Sequence, residues 1–137
     1  MNVVLDAGVL IAWLRGEIGH EVLSERLDSA ETTGESFFVY ALNLCEVFYE
    51  YSRSDDVLTA QAVLSDTASQ GVVRVELLDA PLCADASQIK AAWRRVRLAD
   101  CFGLALARRM DAVFVTTDRH EMERLQSAGI GRIDFLR

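Results

Sequence analysis

Ala112-Val113-Phe114-Val115-Thr116-Thr117-Asp118 is the stretch that decides how this chain folds. Four apolar residues in a row, bounded by a hydroxyl pair and a carboxylate, are too few for a helix and read as a buried strand that ends at Thr116. Asn2-Val3-Val4-Leu5 followed by Asp6 repeats the arrangement at the start of the chain. Between them the hydrophobic period changes from two to about 3.6 and back several times. A helix is expected from Gly8 to Leu14, with Leu10, Trp13 and Leu14 on one face, and another from Glu17 to Ala30, stopped by Thr32-Thr33-Gly34. Ser36–Tyr40 reads as a strand, Leu42–Arg53 and Asp55–Ser69 as helices, and Val72–Leu77 as a strand after Gly71. Pro81 suits the first turn of a helix carrying Ile89, Ala92, Trp93 and Val96, and the next helix runs from Leu98 to Met110. A helix from Asp118 to about Ser127 and a strand over Arg132–Phe135 complete the chain. Strands alternating with helices predict an α/β fold, with a parallel-dominated sheet covered on both faces.

The 137 residues fit one domain spanning positions 1–137, large enough for a core without disulfides. Hydrophobic residues at 51% and charged residues at 26% exclude a disordered or fibrous chain. A formal net charge of −7 opposes diffuse binding to phosphate backbones and argues against a general nucleic-acid coating protein. Local phosphate contact stays open, because Arg94, Arg95 and Arg97 cluster just before Asp100, while Lys90 is the only lysine. Cys45, Cys83 and Cys101 form no C-x-x-C pair and are expected as core thiols of a reducing compartment. With no basic leader and no long apolar run, a cytoplasmic protein without a membrane span is expected.

Four carboxylates carry the chemistry: Asp6, Glu46, Asp100 and Asp118, each adjoining a segment that should face the core. In an open α/β sheet the ligand crevice lies beyond the C-terminal ends of the strands, where Asp6 and Asp118 both fall. Glu46 and Asp100 come from helices, and Asn43, Glu46 and Glu50 share one helix face. Two carboxylates about 4 Å apart repel by about 4 kcal/mol at an effective dielectric near 20, so four stay ionised together only around a cation. Lacking a histidine cluster or a twelve-residue calcium loop, such a set selects Mg2+ or Mn2+. The competing reading makes Asp6, Asp100 and Asp118 helix caps, with Asp118 and Glu121 at capping-box spacing. Capping cannot explain Glu46, in mid-helix, for which a solvated face is the alternative. Asp100, Gly103 and Ala107 form a small-residue stripe that would let a neighbouring backbone approach. His20 and His120 read as surface residues, and no phosphate-cradling glycine loop is present.

Taken in order, V-V-L-D6-A-G-V-L-I, A-L-N-L-C-E46-V, L-A-D100-C-F-G-L-A-L-A and V-F-V-T-T-D118 resemble the four signatures of the PIN domain, from Met1 to about Arg132. At this length the chain is similar to single-domain toxin ribonucleases of VapC type. The resemblance implies a three-layer α/β/α domain with a central, mostly parallel sheet. It also implies an Mg2+- or Mn2+-dependent endoribonuclease, dimeric and inhibited by a cognate antitoxin. By resemblance Asp6, Glu46, Asp100 and Asp118 form the acidic metal site; Asp6 and Asp100 are the first choice as direct ligands, with the roles of the four interchangeable. Thr116 or Thr117 matches the hydroxyl residue before the last acid, and Asn43 supports the site. Arg94, Arg95, Arg97 and Arg119 are candidate RNA phosphate contacts. Gly8 departs from the Ser or Thr that many members carry, which predicts weaker metal binding. Two other readings of the same residues are an inactive, partner-docking module and a structure-specific DNA nuclease. Trp13, Phe48, Tyr49 and Tyr51 offer aromatic surface for an oligomer contact.

Overall fold

The computed structural model describes residues 1–137. Its centre is a sheet of five strands: β1 (Asn2–Leu5), β2 (Ser36–Tyr40), β3 (Val72–Val75), β4 (Val113–Thr116) and β5 (Ile133–Phe135). Every pairing is parallel, in the order β3-β2-β1-β4-β5. Eight helices surround it: α1 (Ala7–Leu14), α2 (His20–Asp28), α3 (Ala30–Thr33), α4 (Ala41–Ser54), α5 (Val57–Ser69), α6 (Ala80–Ala92), α7 (Leu98–Arg109) and α8 (Arg119–Ser127). The alternation of side chains along β1 shows why helices are needed on both faces. Val4 joins one apolar core with Leu104, Phe114 and Met122, while Val3 and Leu5 join the other with Val9, Val39 and Val47. All are fully buried, and each contributes roughly 1.5–3 kcal/mol by leaving water. None of the helices is long and apolar enough to cross a membrane.

From β1 the chain builds the sheet outward through β2 and β3, then crosses back to place β4 on the other side of β1. The C-terminal ends of β1 and β4 therefore flank the point where the winding direction reverses, the position at which open α/β sheets bind ligands. Asp6 follows β1, its N–H extending the ladder to the Val115 carbonyl at 3.1 Å, and Asp118 follows β4 by two residues.

Several local expectations need correction. The helix expected over 17–30 is two helices: α2 starts only after Gly19, whose φ of +94° is left-handed, and a break at Ser29 separates it from the one-turn α3. α6 stops at Ala92 rather than reaching Val96. Lys90 Nζ donates to the carbonyls of Arg94 at 2.7 Å and Val96 at 2.6 Å, satisfying acceptors that a continuing helix would have paired. Residues 93–97 form a pinned loop in consequence. Cys45 is exposed, because α4 turns Leu44 and Val47 to the core and leaves their neighbour outside; only Cys101 is a fully buried thiol. Beside Gly103 it is side chains that approach: an added Cβ would stand 2.7 Å from the Phe114 ring and 3.1 Å from Asn43 Oδ1.

Candidate active site

Asp6 is 3% exposed, and each of its oxygens accepts one hydrogen bond, which leaves a further lone pair on each. Its Oδ1 accepts the Val9 N–H at 2.7 Å, capping α1, and its Oδ2 accepts the Thr116 hydroxyl. The same Thr116 oxygen accepts the Asp118 N–H at 3.0 Å. One hydroxyl at the end of β4 therefore ties the acid after β1 to the acid after β4, an arrangement possible only because those strands are neighbours. Asp118 also caps α8, accepting the Glu121 N–H at 3.3 Å. For Asp6 and Asp118 the cap and the site are one geometry: the cap occupies one oxygen and fixes the other. Asp100 is no cap, since the α7 N-cap is Arg97 and makes no side-chain capping bond.

Asp100 is 6% exposed, and its Oδ1 accepts Asn43 Nδ2 at 3.3 Å. Asn43 is itself fully buried, and its Oδ1 has no hydrogen-bond partner. The space for that amide comes from Gly103, one turn along α7. Glu46 lies one turn beyond Asn43 on α4, half-buried at the rim of a cavity of about 260 Å³ shared with Gly8, Tyr49 and Arg97.

Electrostatics shows that these acids share one neighbourhood. Burial first, and then the negative charges of Asp6, Glu46 and Asp118, push the Asp100 carboxyl up to about 8 against the pull of Arg97. Asp6 is raised to about 6, by burial first and by the charges of Glu46 and Asp118, against the lowering effect of its bonds from Thr116 and Val9. Glu46 is raised by burial and restrained by Arg97. No three of the acids close around one point as a finished ligand set. A set of hard carboxylate oxygens, raised by mutual repulsion and backed by the partnerless Asn43 oxygen, fits a divalent cation such as Mg2+ or Mn2+.

Position 8 has a role that its sequence does not reveal. A Cβ built on Gly8 would collide with Thr117 Oγ1 and lie 3.4 Å from Asp6 Oδ1. The Thr117 hydroxyl occupies the space beside Asp6 that a residue-8 side chain would fill, so the two threonines divide the work: Thr116 holds Asp6, and Thr117 fills the gap over Gly8.

The arginines separate. Arg94, Arg95 and Arg97 are exposed on the pinned loop. Arg119 is committed elsewhere: its Nε donates to the Arg137 carbonyl at 2.7 Å, it pairs with Glu123 at 3.1 Å, and it lies over the Phe135 ring. His120 points into solvent. Of the candidate interface aromatics only Tyr49 is exposed, at 62%; Tyr51 is buried, and Trp13 donates to Ser24 Oγ at 3.0 Å. Lys90, which sets the arginine loop, carried no signal in the sequence, because its partners lie beyond the end of its own helix.

The sequence model of the PIN domain matches residues 3–127. No curated protein matches the chain. Among solved structures, the fold is similar to DNA-bound VapBC from Salmonella typhimurium, with a TM-score of 0.73 and 20% identity over 100% of this chain and 99% of that one. VapBC2 from Rickettsia felis, bound to a fragment of promoter DNA, gives 0.73 at 13% identity, covering 98% of each chain. VapBC-1 from nontypeable Haemophilus influenzae gives 0.70 at 16%, covering 99% and 98%. Matched over most of its length and carrying its acids at the ends of β1 and β4 and on α4 and α7, the chain belongs to the PIN domain family.

Proposed function

We propose that this protein is a metal-dependent endoribonuclease and the toxin of a toxin–antitoxin pair. The observation that carries the reading is that Asp6, Glu46, Asp100 and Asp118 lie close enough near the winding reversal of the sheet for their charges to raise the carboxyls of Asp6 and Asp100, two of the four being joined through Thr116. Asp6 and Asp100 would hold an Mg2+ or Mn2+ ion directly, with Glu46 and Asp118 completing its surroundings. Bound there, such an ion supplies a more acidic water and neutralises charge on a phosphodiester.

The chain's own residues do the rest. Thr116 and the Val9 N–H fix both oxygens of Asp6, and Asn43 orients Asp100. Glu46, half-buried and open to the cavity, is placed to accept a proton from an attacking water. Arg97, across that cavity, offsets the repulsion between a phosphate and the acids. The neighbouring structures are VapBC complexes, which supports a protein antitoxin as partner of this chain. Tyr49 on α4 and Leu58 on α5 supply exposed apolar surface for that partner or for a second copy in a homodimer. A cytoplasmic location, where such a protein would meet its RNA, is part of this reading. The test offers single-stranded RNA, hairpin RNA and flapped DNA side by side with Mn2+. Cleavage of RNA is expected, and cleavage of flapped DNA with RNA left intact would overturn the assignment.

A further inference from the structure

The arginines of the 93–97 loop differ from all the others in a way that points to a ligand. Every arginine outside the 93–97 loop lies within 4.0 Å of a carboxylate. In a chain with 21 acidic residues, Arg94, Arg95 and Arg97 have none, and Lys90 holds their loop in place. Unpaired guanidinium groups on a fixed backbone are preorganised for an anion from outside.

Arg94 and Arg95 line a cavity of about 550 Å³ with Ala92, Trp93, Glu121 and Arg124, within the range of roughly 300–1,000 Å³ that small ligands occupy. The cavity adjoins the acidic site, because the Glu121 N–H bonds to Asp118 Oδ1. Trp93 supplies an indole on which a base can stack. The Glu121 carboxylate is 13% exposed; the Arg124 guanidinium at 3.8 Å and the His120 ring at 3.7 Å stand beyond hydrogen-bond distance, which leaves both oxygens able to accept. Among RNA bases, guanine alone presents two adjacent N–H donors on its Watson–Crick edge, the match for a bidentate carboxylate.

We propose that this cavity is a pocket for one guanosine of single-stranded RNA flanking the scissile phosphate, with the base on Trp93, its Watson–Crick edge on Glu121 and its phosphate on Arg94 and Arg95. The proposal rests on the ribonuclease reading and adds a base preference to it. Arg97, two residues on, lines the smaller cavity together with Glu46, so the same loop also reaches the acidic site.

The test uses Trp93 fluorescence in EDTA, which needs neither metal nor cleavage. UUGUU, UUAUU, UUCUU and UUUUU pentaribonucleotides are titrated into the wild type and into Trp93→Phe, which retains Trp13 as an internal control. UUGUU should quench the wild type with about tenfold higher affinity than the other three, the worth of one bidentate base contact, and should leave Trp93→Phe unchanged. Glu121→Gln should bring the four oligonucleotides level while keeping the fold, and Arg94→Ala with Arg95→Ala should lower the salt slope of binding by about 1.4. Equal affinity for all four in the wild type, or a guanosine preference that survives Glu121→Gln, would overturn the pocket. An active ribonuclease with that result leaves the nuclease reading standing. Guanosine-selective quenching in a protein that cleaves no RNA supports the pocket and counts against the nuclease.

Discussion

Asp100→Asn should make the metal-free protein more stable at neutral pH, although it removes a buried, hydrogen-bonded side chain. The folded state raises the Asp100 carboxyl from its ordinary 3.8 to about 8, through burial first and the charges of Asp6, Glu46 and Asp118 second. Between those values the folded protein holds a proton that the unfolded chain has released. Stability is therefore greatest below about pH 4 on account of this group, and is lost as pH rises toward 8. Each pH unit in that window costs up to about 1.4 kcal/mol, so moving from pH 5 to pH 7 costs at most about 3 kcal/mol. Relaxation of a site that opens onto solvent reduces this to about 1–2 kcal/mol. In a domain of this size that is roughly 4–8 °C in melting temperature. Asparagine at position 100 cannot ionise, yet its carbonyl still accepts from Asn43. Thermal unfolding in EDTA at pH 5, 6, 7 and 8 should show the wild type losing stability with rising pH on a clearly steeper slope than the variant, and the variant melting higher at pH 7. Identical slopes, or a variant that melts lower at pH 7, would refute the electrostatic account of the site.

Other expectations follow from particular contacts. Thr116→Val keeps the shape of the side chain but strips the acceptor of the Asp118 N–H and the donor to Asp6, and urea unfolding should show a loss of about 1–3 kcal/mol; no loss would mean that the hydroxyl bridges nothing. Gly8→Ser forces its Cβ onto the Thr117 hydroxyl and should cost about 1–3 kcal/mol, most of it recovered in Gly8→Ser with Thr117→Ala; an undiminished loss in the double variant would contradict the contact. Lys90→Met frees the carbonyls of Arg94 and Val96, so amide exchange over residues 93–97 should accelerate while exchange in the central strands stays slow; unchanged loop protection would show that Lys90 does not hold it.

The parts of this fold that could be read from the sequence are those whose cause is local. An apolar run ending in an acid announces itself, as Val3 to Asp6 and Val113 to Asp118 do, and the mid-helix Glu46 stands out because no cap explains it. The sheet's parallel character followed from the alternation of elements. What lay beyond reading depends on pairs far apart in the chain. Thr116 reaches Asp6 only because β4 lies beside β1, and Gly103 matters because Asn43 and Phe114 fill its space. Apolar periodicity carried α6 on to Val96, since nothing local shows that Lys90 folds over the helix end. Gly8 read as a missing hydroxyl, whereas the space above it is taken by Thr117, a residue 109 positions away that joins it only in the folded chain.

The most direct test of the central claim is cleavage of a mixed, structured RNA by the purified protein with Mg2+, with Mn2+ and with EDTA, beside an Asp6→Asn, Asp100→Asn variant prepared in the same way. Cleavage by the wild type with either ion, absent in EDTA and absent from the folded variant, is the predicted result. Cleavage that persists undiminished in EDTA or in the variant would contradict the assignment of these acids as a metal-dependent ribonuclease site.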